Sequence, residues 1–114
     1  MIHLMIVILD DLKLMPDLLH AWEAIGAPGA TILASAGSYR SRAWLSRMGL
    51  GALDHLFKDR EIQQHTLMVA IETDELLEQA IAEAERVVGG FDRPGSGLLV
   101  VLPVGQVRGL HKVQ

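Results

Sequence analysis

The stretch from Ala24 to Gly37, AIGAPGATILASAG, constrains the fold most, because it returns in altered form near the other end of the chain. In its first form an apolar-striped helix ends at Gly26, Pro28 and Gly29 make a turn, and a strand runs on to Gly37. The second form, GGFDRPGSGLLVVLPVG from Gly89 to Gly105, again follows a helix. Two halves, each strand, helix, turn and strand, build a split βαβ domain. The glycine turns put permissive backbone where a ligand could approach the sheet.

Size and charge narrow the function classes. The 114 residues make one domain, 1–114, and 50% apolar with 21% charged residues is a globular composition. Mean hydropathy is +0.29 with only 4% aromatics, so the surplus is aliphatic. A domain this small buries a limited share of its surface, which points to aliphatic surface meeting another subunit. A net charge of -4 and a pI near 5.6 argue against nucleic acid, whose phosphates want a basic face. With no cysteine there is neither a disulfide framework nor thiolate chemistry, which fits a cytoplasmic protein. The first nine residues lack the basic region of a signal peptide, and no run reaches the roughly 18 apolar residues of a membrane span.

Along the chain, Ile2 to Leu9 (IHLMIVIL) is a continuous apolar run, as expected for a central strand buried on both faces. Asp10 and Asp11 end it and can cap the next turn. From Leu14 to Ile25, Leu14, Leu18, Leu19, Trp22 and Ile25 recur at helical spacing, with Pro16 in the first turn and Gly26 as the C′ residue. Trp22 belongs in the core. Ala30 to Ala36 is the second strand and His65 to Glu72 the third. Thr73, Asp74 and Glu75 start a helix that runs to Val88 and stops at Gly89 and Gly90. Leu98 to Val104 is the last strand. Right-handed crossovers then give an α+β, ferredoxin-like βαββαβ sandwich, a four-stranded antiparallel sheet with two helices on one face. The bare face needs covering, and self-association is the economical way to do it.

Between the halves, Tyr39 to Gln64 is too long for a plain loop in a compact domain. It reads either as a short helix packed on its own or a neighbouring subunit, or as an arm that orders against a partner. Arg40, Arg42 and Arg47 make its front half basic, and Asp54, Asp59 and Glu61 its rear acidic. His3, His20, His55, His65 and His111 lack metal-ligand spacing and read as surface or satisfied core histidines. No Ser, His and Asp arrangement suggests a nucleophile with its base, and no P-loop is present, so no enzyme is indicated.

These residues resemble a family. MPDLLHAWEAIGAPGATILASAGSYRS is similar to the start of the PII (nitrogen regulatory) signal-transduction proteins, whose first strand and helix lead into an IG-x-x-G-x-T turn. Ile25, Gly26, Gly29, Thr31, Gly37 and Arg40 fall on that pattern. HTLMVAIETDELLEQAIAEAERVVGG resembles the family's third strand and second helix, and GSGLLVVLPV its glycine-bearing B-loop and final strand. The likeness spans essentially the whole chain, with a rewritten connector in place of the family's T-loop.

The resemblance implies a cytoplasmic homotrimer of ferredoxin-like subunits that binds effectors, usually adenine nucleotides, in clefts between subunits. Carried over by position, Thr31 would lie at the adenine and Gly37 on the loop side of the phosphates. Gly95, Ser96 and Gly97 would present backbone N–H groups to phosphate, as consecutive amides in a Gly-rich turn do. Arg40, Arg93 and Arg108 would supply charge. The chain departs from the family in several places. Leu98 stands where the family has a lysine, Ser41 where it has a glutamine, and Arg108 alone replaces two closely spaced arginines. Tyr39 sits at the loop's base, not at the spacing of the family's modified tyrosine. The expected function is a regulator that senses a small anionic effector and signals to a target protein through residues 39–64. The alternatives are a metal-tolerance trimer resembling CutA proteins, which share the fold but not this B-loop, and a ligand-free structural scaffold.

Overall fold

A computed structural model of the chain describes residues 1–36 and 63–110. Gly37, Arg40 and most of the 39–64 connector lie outside the described residues, as do His55 and His111. The elements run β1 (His3–Leu9), a 3-10 turn (Leu12–Leu14), α1 (Met15–Ala24), β2 (Thr31–Ala36), β3 (Gln63–Ile71), α2 (Asp74–Val88) and β4 (Leu98–Pro103). All pairings are antiparallel and the sheet order is β2-β3-β1-β4, the ferredoxin-like arrangement. The third strand begins at Gln63, two residues before the sequence placed it, because Gln63 and Gln64 continue the ladder opposite Ala36 and Ser35.

Local chemistry explains where the helices start and stop. The Asp11 side chain accepts from the Lys13 amide and opens the 3-10 turn, with Pro16 in the first turn of α1 behind it. Asp10 turns the other way and accepts from the Gln64 side-chain amide across the sheet. At the head of α2 the Thr73 hydroxyl accepts from the Leu76 amide, with Asp74 and Glu75 at the positive end of the helix dipole. Gly89, at φ +83°, closes that helix in the left-handed region that side chains avoid.

The core lies between the helices and one face of the sheet. Met5, Val7 and Leu9 of β1 and Leu67, Val69 and Ile71 of β3 alternate onto this face and are shut off from water. Leu77, Ala80, Ala84 and Val88 of α2 pack on them at helical spacing, with Leu18 and Trp22 of α1. Trp22 is 2% exposed, and its indole Nε1 donates to the Ala80 carbonyl at 3.1 Å, which ties the two helices together.

Among the described residues no helix lies on the other face. The continuous apolar run of β1 implied burial on both sides, but in the single chain only every second residue is buried. Leu4, Ile6 and Ile8 are half-buried, flanked in register by Ala70, Met68 and Thr66 of β3 and by Leu102, Val100 and Leu98 of β4. Leu33 is 48% exposed, Leu98 52%, Val100 36% and Leu102 47%. Residues this apolar on a sheet face, left open by the described residues, call for a cover.

Candidate functional site

The second glycine turn is the best-built part of the candidate site. Arg93, Pro94, Gly95 and Ser96 form a β-turn in which the Ser96 amide donates to the Arg93 carbonyl at 3.2 Å. Proline at its second position and Gly95 at φ +74° at its third are the pattern of a type II turn. The Ser96 hydroxyl donates to the same carbonyl at 2.7 Å, so both donors of Ser96 are used within the turn. Gly97 follows at φ +108°, where its backbone passes over the end of β1. A Cβ there would lie 2.2 Å from the Ile8 carbonyl oxygen, so only glycine fits without moving the strand.

Arg93 is exposed, but its side chain folds back onto α2. Its Nη2 donates to the Val88 carbonyl at 2.6 Å, at the C-terminal end of α2. The guanidinium also lies against Gly89, within 3.2 Å of where a Cβ would be. An arginine here satisfies a carbonyl that the helix itself leaves unpaired, and its charge meets the negative end of the helix dipole. No local sequence signal marks this use; the five-residue reach from Val88 to Arg93 became visible only in the folded chain.

The other candidates lie elsewhere. Thr31 opens β2 and is exposed, in register with Met68, which pairs with Ile6, which pairs with Val100. Three inter-strand steps separate Thr31 from β4, roughly 14 Å at about 4.8 Å per step. Arg108 follows the far end of β4 from Gly97; it is exposed and makes long contacts of 3.4 Å to the Val107 carbonyl and the Gln106 side chain. One copy of the chain therefore brings Arg93, Gly95, Ser96 and Gly97 together but not Thr31 or Arg108. Leu98, in the position of the family lysine, faces the open side of the sheet between Ile8 and solvent.

Two clefts flank the first glycine turn. One, of about 250 Å³, is lined by Leu19, Trp22, Glu23 and Ala27 to Ala30, immediately before Thr31. The other, about 300 Å³, lies between Gly26, Pro28 and the start of α2 at Glu72, Thr73 and Leu76. Two histidines depart from the expectation: among the described residues the buried Nδ1 atoms of His3 and His65 find no hydrogen-bond partner, while His20 is on the surface as expected. His3 Nδ1 is 3.9 Å from Asp74. Among the described residues no three His, Asp or Glu side chains gather as metal ligands, and no helix is long and apolar enough to cross a membrane.

No family model and no curated protein sequence matches the chain. Solved structures do. The chain is similar to GlnK from B. subtilis, with a TM-score of 0.61 at 12% identity, over 91% of this chain and 85% of that one. It is similar to PII from Arabidopsis thaliana bound to citrate, with a TM-score of 0.62 at 16% identity, over 90% and 77% of the two chains. A B. subtilis GlnK–ATP complex gives a TM-score of 0.56 at 12% identity, over 89% and 79%. The chain thus has the fold of the PII proteins, as the sequence resemblance implied.

Proposed function

We propose that this chain is a trimeric PII-like regulatory protein that senses a small anionic effector in clefts between subunits. One observation carries the reading. The candidate residues are split between the two edges of a sheet whose open face is apolar, so a second copy that covers the face can also complete the site. Residues 37–40 of one subunit and the Gly95–Arg108 region of its neighbour then close on the ligand. Ligand binding biases the conformation of residues 39–64, which a target protein reads. The protein acts in the cytoplasm and without catalysis of its own.

An adenine nucleotide is the first effector to test, because one of the similar GlnK structures is an ATP complex. The citrate-bound plant PII extends the class to small carboxylates. Titration calorimetry with ATP, ADP, AMP and cyclic dinucleotides is the test. Binding of any of them tighter than ~100 μM, about -5.5 kcal/mol, supports a nucleotide effector, and silence from all rejects it. Arg108→Ala should weaken binding about tenfold, the scale of one charge-assisted hydrogen bond, and leave the oligomer intact. If the oligomer dissociates instead, Arg108 holds subunits together and the site is misplaced. Light scattering should return three times the 12.5 kDa of one chain; a single-chain mass contradicts the trimer.

A further inference from the structure

Arg93 is the described candidate cation nearest the glycine turn, and one nitrogen of its guanidinium is already engaged. The guanidinium donates to the Val88 carbonyl at 2.6 Å, while the Arg93 carbonyl accepts both the amide (3.2 Å) and the hydroxyl (2.7 Å) of Ser96. One residue thus holds the last turn of α2 with its side chain and the β-turn with its backbone. On the other side, Gly97 is pressed onto the Ile8 carbonyl, where no side chain fits. The turn is clamped between α2 and the end of β1 before any ligand arrives.

We infer that Arg93 is a positioning residue, a brace that presets the Gly95–Gly97 turn on the end of α2, and that its charge is not offered to an anion. This rests on the reading of that turn as part of the effector site, and it changes the recognition expected there. With both donors of Ser96 used inside the turn, an anion there meets the neutral backbone amides of Gly95 and Gly97 in a fixed arrangement, not an arginine. Fixing the loop beforehand removes an ordering cost that binding would otherwise carry. Replacing the helix-bound guanidinium leaves a carbonyl uncapped and frees the turn, so the damage appears in the ligand-free protein first.

The test compares the wild type with Arg93→Ala and Gly95→Ala in two measurements. The first is amide hydrogen exchange of Gly95, Ser96 and Gly97 and of the last turn of α2 without ligand. Arg93→Ala should speed exchange at Ser96 about tenfold, as the loss of one charge-assisted hydrogen bond implies. Unchanged exchange overturns the brace. The second is ATP affinity across a range of salt concentrations. If Arg93 braces the turn, Arg93→Ala lowers affinity without changing its salt dependence, and Gly95→Ala, strained at φ +74°, reproduces that loss with the arginine still present. The double variant is then no worse than either single one. If the salt dependence flattens in Arg93→Ala alone, Arg93 is a ligand cation and the inference fails. Should the wild type bind no ATP, the nucleotide reading falls, while the exchange measurement still decides the brace.

Discussion

Met5, Val7 and Leu9 point to the helices and are shut off from water, whereas Leu4, Ile6 and Ile8, the residues between them, point away and stay half-buried. The two sets are equally apolar. What separates them is supply: α1 and α2 lie on the same side, so one face receives Trp22 and the apolar stripe of α2, while among the described residues no helix covers the other. The first face makes a subunit. The second, continued onto β4 by Leu98, Val100 and Leu102, is suited to joining subunits.

Substitutions can break this contrast. The largest effect on stability is expected on the covered face. Trp22→Ala removes a buried indole and its hydrogen bond to Ala80, and should cost about 3–5 kcal/mol in chemical denaturation. A cost below about 1 kcal/mol would show that the helix layer is not the core. On the open face, Val100→Asp should dissociate the assembly, read as a fall in mass by light scattering. Its effect on the stability of the single subunit should stay within about 1 kcal/mol, the span of strand preference. If the mass is unchanged, the open face is not the interface. The smallest effect is expected outside both faces, where Thr73→Ala should remove the cap of α2 for about 1 kcal/mol and leave the mass alone.

The fold was legible in the sequence because each half carries its own periodicity and its own glycine stop. Leu76 to Val88 shows a helical stripe that ends at Gly89, and the structure ends α2 there. The fate of Ile2 to Leu9 was not legible: a run apolar at every position contains no information on which face its own helices will cover. The third strand was placed too late because Gln63 and Gln64 look like loop, yet their backbones pair with β2. Nor could the sequence tell a liganding arginine from a capping one. That choice for Arg93 depends on the Val88 carbonyl lying open beside it after the helix has ended. His3 and His65 were opaque in the same way, since a lone His on an apolar face does not declare whether its Nδ1 will find a partner.

The strand order has a consequence for how the chain can be divided. β1 and β2 belong to the first half but never touch; β3, from the second half, lies between them, and β1 in turn separates β3 from β4. Neither half owns a pair of neighbouring strands, so neither has a sheet of its own to fold around. A chain cut between the halves would give two pieces that are unstructured apart and zip into one domain when mixed. That is the behaviour of a split reporter.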